Sequence, residues 1–119
     1  MTEPAQHWRT GLRARLIASR KAKDSVSTAA IRSALSAIDN AETPDVPLPR
    51  AGAIADSAHG LGAAEVARLR LTDDQIRGLL QVEVDERQVA AQQLRSVGRD
   101  DRAEQVQAEA AVLSELLTD

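Results

Sequence analysis

The chain has 119 residues, with 15 Lys and Arg against 18 Asp and Glu and a formal net charge of −3. It holds no Cys, Tyr or Phe and a single Trp. That composition excludes a disulfide scaffold, a thiolate metal site, a cysteine nucleophile and RNA modules that stack bases on sheet aromatics. The length suits one domain, 1–119, and a hydrophobic fraction of 43%, much of it Ala and Leu, allows a thin core. No apolar run approaches the ~20 residues of a spanning helix. Arg13 and Arg15 interrupt what would otherwise resemble the apolar stretch of a signal peptide. The expectation is a cytoplasmic protein with no membrane contact.

The first element is a helix over 5–21. Ala5, Trp8, Leu12 and Leu16 recur at spacings of three and four, which places them on one face. Pro4 suits the start, where a missing N–H costs nothing. A short turn follows, and Asp24 or Ser25 can cap a second helix over about 25–43 by accepting its free N–H groups. Ile31, Leu35 and Ile38 form its apolar stripe, widened by Ala30, Ala34 and Ala37, and Pro44 ends it.

Residues 44–71 read as a long loop. Prolines cluster in 44–49, and Gly52, Gly60 and Gly62 follow. One short helical turn near 51–57 or 63–68 is compatible with this stretch. Gly60-Leu61-Gly62 lacks the preceding strand and following lysine of a phosphate-binding loop.

Thr72 with Gln75 predicts a capping box at the start of a third helix, and Asp73 and Asp74 favour its positive end. Ile76, Leu80, Glu83, Arg87, Ala90, Leu94 and Val97 follow at alternating spacings of four and three. Gly98 marks the stop. Asp100 or Asp101 opens a fourth helix with Ala103, Val106, Ala110, Leu113 and Leu117 as its stripe. No strand pattern appears. The predicted fold is all-α: two antiparallel hairpins, 5–43 and 72–118, packed as a four-helix bundle.

Charge is uneven along this plan. Residues 1–42 carry seven bases against four acids, whereas 43–119 carry eight bases against fourteen acids. Two readings stand. The basic segment either pairs with acidic later helices or faces a polyanion, which needs clustered Lys and Arg rather than overall basicity. Arg9, Arg13, Arg20, Lys21 and Lys23 are the candidate phosphate contacts.

No catalytic constellation emerges. His7 and His59 are isolated, with no partner at metal-ligand spacing. The pairs Asp73-Asp74 and Asp100-Asp101 are explained by helix starts. No cofactor or metal is expected. Glu83 and Arg87 stand out because they occupy seam positions where Leu would be ordinary. Counted about Gly98, Arg87 lies eleven residues before the turn and Glu109 eleven after. An antiparallel hairpin brings them together, with Glu83 one turn away or reaching Arg32. Arg32, Glu83, Arg87 and Glu109 are the candidate polar layer.

Across these residues the chain resembles the YqeY family, small bacterial proteins related to the tail region of the B subunit of glutamine-dependent Asp/Glu-tRNA amidotransferase. The likeness rests on Arg20-Lys21-Ala22-Lys23-Asp24, then Arg32, Leu35, Ala37-Ile38, Asn40 and Glu42. It continues through Leu71-Thr72-Asp73-Asp74, Glu83 and Glu86-Arg87 to 98–104, Glu109, Val112-Leu113 and Leu116-Leu117. It covers the family's N-terminal helical part, which family members follow with a small three-helix tail unit. Arg102 stands where the family often has Leu. The resemblance implies a non-catalytic helical accessory to tRNA-dependent amidation, a carbon–nitrogen ligation with glutamine as amido donor. Its implied partner is tRNA or a protein of the aminoacylation machinery. The alternative is a protein-interaction module without an RNA role, and thin Ala-rich helices are compatible with a homodimer.

Overall fold

A computed structural model describes residues 3–44 and 69–118. Four helices account for almost all of them: α1 (Pro4–Lys21), α2 (Ser25–Glu42), α3 (Asp73–Ser96) and α4 (Asp100–Thr118). No strand occurs among the described residues. The expected short helical turns at 51–57 or 63–68, and the glycines 52, 60 and 62, lie outside the described residues.

Each boundary has a local cause. Pro4 opens α1. Asp24 caps α2, accepting from the Ser27 N–H at 3.1 Å and the Ser27 hydroxyl at 2.7 Å. Thr72 and Gln75 form the reciprocal capping box of α3, at 3.1 Å and 2.9 Å. The helix ends are equally specific. After α1, the Lys23 N–H bonds the Arg20 carbonyl and the Asp24 N–H bonds the Ser19 carbonyl. After α3, the Gly98 N–H bonds the Arg95 carbonyl and the Arg99 N–H bonds the Leu94 carbonyl. Both are left-handed caps that satisfy otherwise orphaned carbonyls. The residue in the left-handed position is Gly98 (φ +78°) in one and Lys23 (φ +58°) in the other.

The hairpins α1–α2 and α3–α4 each pack closely, and α2 also lies against both α3 and α4. One core cluster draws on all four helices, including Leu12 of α1, Ile31 and Ile38 of α2, Ile76 and Leu80 of α3, and Leu113 of α4. Burying each such side chain is worth about 1.5–3 kcal/mol. A smaller cluster of Ala91, Ala103 and Val106, supported by Ala90 and Leu94, belongs to α3 and α4 alone. The Leu69 N–H bonds the Glu42 carbonyl at 2.8 Å, so the chain re-enters the described fold beside the end of α2.

Two seam expectations need correction. The α3 seam, taken strictly at four-three spacing, ends on Val97, which is 71% exposed, while Val84 and Ala91 are buried in its place. An ordinary helix turns 3.6 residues, so over six turns the buried line drifts off a strict 3.5-residue repeat. On α4, Leu116 is buried within the main core cluster and Leu117 only packs against it, partly buried.

Candidate nucleic-acid interface

The basic residues of the first hairpin separate into two groups. Arg9 points across to α2. Its Nη2 pairs with Glu42, and its Nε and Nη2 reach Asp39 Oδ1 at 3.1 and 2.6 Å. The Arg9 side chain is 16% exposed and that of Glu42 is 8% exposed. The Glu42 hydrogen bond, foremost, holds the guanidinium pKa above its ordinary value against the opposing effect of burial, with Asp39 adding to it. The expected phosphate contact at Arg9 is therefore a cross-helix ion pair, because the α2 end delivers two carboxylates to it.

Arg13, Arg20, Lys21 and Lys23 are exposed. Arg13 lines a surface depression beside Arg9 at the far end of the hairpin. Arg20 and Lys23 share a concavity of about 350 Å³ at the α1–α2 turn with Ser25, Thr28 and Arg32. None of Arg20, Lys21, Lys23 or Arg32 joins a salt bridge among the described residues. The turn beneath them is pinned. Ser19 Oγ and Thr28 Oγ1 lie 2.9 Å apart, Ser19 Oγ donates to the Leu16 carbonyl, and Thr28 Oγ1 donates to the Asp24 carbonyl. The Asp24 carboxylate, the one acid at this turn, is bound by Ser27, whose hydroxyl and then N–H hold its pKa below the usual carboxylate range.

The polar layer forms within the second hairpin. Arg87 Nε donates to Glu109 Oε1 at 3.2 Å and Arg87 Nη1 donates to Glu83 Oε1 at 3.1 Å. Side-chain exposures are 16% for Arg87, 19% for Glu83 and 10% for Glu109, so the three charges are largely removed from water and depend on one another. Arg32 does not enter this layer. It is exposed at the concavity, and Ser33, the next residue on α2, donates its hydroxyl to Glu83 at 2.6 Å instead. One residue of helix moves a side chain by about 100°, enough to exchange the buried face for the open one.

A third cluster was not anticipated. Trp8 Nε1 donates to Asp73 Oδ1 at 2.8 Å, Arg77 Nε donates to Asp73 Oδ2 at 2.8 Å, and the Arg77 guanidinium lies 5.3 Å from the Trp8 ring centroid. Arg77 also donates to the Leu117 carbonyl at 3.0 Å. The Trp8 and Arg77 hydrogen bonds hold the Asp73 pKa below the usual carboxylate range. Trp8 and Asp73 are 65 residues apart, and no spacing rule joins them. The Arg9 pair did leave a trace. Arg9 lies fourteen residues before Lys23 and Asp39 sixteen after it, near-matching heights in an antiparallel hairpin.

Among the described residues no group of three or more His, Cys, Asp or Glu is placed to hold a metal ion, and no helix is long and apolar enough to cross a membrane. Comparison of the chain with protein-family models, with curated proteins and with solved structures returns no match.

Proposed function

We propose that the chain is a non-catalytic helical module that binds structured RNA of the tRNA class through the α1–α2 turn. Lys23 carries this reading. Its left-handed backbone is sterically unfavourable for a side-chain-bearing residue and nearly costless for glycine, which occupies the equivalent place after α3. Strain kept at a site where a glycine would relieve it favours a use for the side chain. That side chain joins Arg20 and Arg32 around one concavity, with Lys21 adjacent. Three or four cations on a pinned turn suit two or three phosphates. The YqeY resemblance supports the same class of partner, as an accessory to glutamine-dependent tRNA amidation.

The test is a gel shift with bulk tRNA across a salt series. Binding at low salt should weaken steeply as salt rises. Arg20→Glu with Lys23→Glu and Arg32→Glu should abolish it while the helical circular dichroism is retained. A wild-type protein that shifts no tRNA at low salt overturns the reading. The second reading, a protein-interaction module, draws on Val82 and Val89, which lie two turns apart on α3 and are each about half exposed. It predicts concentration-dependent self-association or capture of a protein partner, insensitive to the three charge reversals.

A further inference from the structure

The outward faces of α1 and α3 carry opposite charge around exposed apolar side chains. On α3, Val82 and Val89 are 52% and 53% exposed. Val82 borders a groove of about 310 Å³ that Ala41, Leu71, Gln75, Gly78 and Leu79 also line. A Cβ built on Gly78 would meet no atom within 4 Å, so the groove is open above that backbone. Asp74, Asp85 and Glu86 flank this line and are exposed. Asp85 accepts from the uncharged Gln81 amide at 3.0 Å, a bond that leaves its charge uncompensated. The two bases of α3 ahead of Arg95 are turned to other partners, Arg77 to Asp73 and Arg87 to Glu83 and Glu109. The α1 helix is the complement, with Arg and Lys but no Asp or Glu along its length. Its Ile17 is 57% exposed and lies one turn from Arg13 and one turn from Lys21. Both bases are exposed, and neither joins a salt bridge among the described residues. Helical spacing puts Arg13, Ile17 and Lys21 on one line, with about 6 Å between neighbours.

We propose that a second copy of the chain docks head to tail on this groove, with Ile17 of one α1 seated over Gly78 between Leu79 and Val82 of the other α3. Arg13 and Lys21 then fall about one turn to either side, toward Asp74 at one end of the groove and Asp85 with Glu86 at the other. Both ends of the α1 line are basic and both ends of the groove are acidic, so the match holds for either relative helix direction. Pairing α3 with α3 about the same valines would instead set acid against acid, which is repulsive. The two mating surfaces differ, so the contact propagates from copy to copy rather than closing on a two-fold axis. One isoleucine between charged flanks makes a small contact of the transient class, and salt screens its charge attraction. The contact does not rest on the RNA reading, because Arg20, Lys23 and Arg32 lie outside it.

Sedimentation velocity on the full chain tests this. At low salt the weight-average sedimentation coefficient should rise with concentration up to about 1 mM, the range of a weak contact. Raising salt to about 0.5 M should reverse the rise. Ile17→Glu and Val82→Glu should each remove it and keep the wild-type helical circular dichroism, since both positions are more than half exposed. Mixed together, the two variants should form a dimer and stop there. The Ile17→Glu copy retains an intact α3 groove, and the Val82→Glu copy retains an intact α1 face. A wild-type protein that stays monomeric at low salt overturns the proposal. So does self-association of Ile17→Glu equal to that of wild type, which would mean that α1 takes no part, and so does a mixture that stays monomeric.

Discussion

The two hairpins solve the same problems with the same devices and differ in which residues they spend on them. Each ends its first helix in a left-handed cap, and each clamps its two helices with an arginine shared by two carboxylates. In the second hairpin the cap residue is Gly98, and Arg87 lies between Glu83 and Glu109, all under 20% exposed. In the first hairpin the cap residue is Lys23, and Arg9 lies between Glu42, which is buried, and Asp39, whose side chain is 55% exposed. The first accepts a lysine in the left-handed position and a clamp in which one of the two carboxylates, Asp39, is half exposed, and its open turn gathers cations. On the proposed function, the costlier residue at Lys23 is kept for the side chain that it presents at the turn.

The largest expected contrast is between the clamps. Arg87→Ala leaves two mostly buried carboxylates facing each other without their cation, which should cost about 3–5 kcal/mol in urea unfolding. Arg9→Ala should cost less, about 1–3 kcal/mol, because it strips the buried Glu42 of a partner while the half-exposed Asp39 regains water. Equal losses would break the distinction between a buried clamp and a rim clamp. Arg95→Ala, which removes an exposed contact to Gln107, should stay within about 0.5 kcal/mol.

The caps should respond with opposite signs. Gly98→Ala places a Cβ on a left-handed backbone and should destabilise by about 1 kcal/mol. Lys23→Gly relieves the same conflict and should raise stability by up to about 1 kcal/mol. On the proposed function, that stabilised variant should bind tRNA more weakly than wild type. A more stable Lys23→Gly protein with unchanged tRNA binding would show that the strain serves no binding role.

Acid supplies the smallest contrast. Asp24 at the basic turn and Asp73 beside Trp8 both have folded-state pKa values below the usual range. Protonation therefore favours the unfolded chain. Their contribution is fully present above the unfolded carboxylate value, about 3.9, and is lost as pH falls through the depressed folded values. Thermal midpoints should decline below about pH 4, and Asp73→Asn and Asp24→Asn should each flatten that decline. Both groups are solvent-exposed, so the flattening should be slight.

Much of this molecule is determined locally, by interactions within a turn or two of helix. The all-α class, four helices bounded within a residue or two, the Asp24 cap and the Thr72–Gln75 capping box follow from periodicity and from side chains three residues from the groups they satisfy. Counting about Gly98 was enough to place Arg87 opposite Glu109, because an antiparallel hairpin converts sequence distance from its turn into height. What sequence left open required knowing which face each helix turns to its neighbours. Arg9 and Arg20 look alike on paper, yet the α2 end delivers Asp39 and Glu42 to one, and among the described residues no acid pairs with the other. Arg32 and Ser33 differ by one position, and only the packing of α2 against α3 decides that Ser33 meets Glu83. The Trp8–Asp73–Arg77 cluster arises between helices 65 residues apart in the chain. A long-range contact of that kind depends on how two hairpins dock, and docking is set by the summed fit of many small apolar side chains rather than by any local signal.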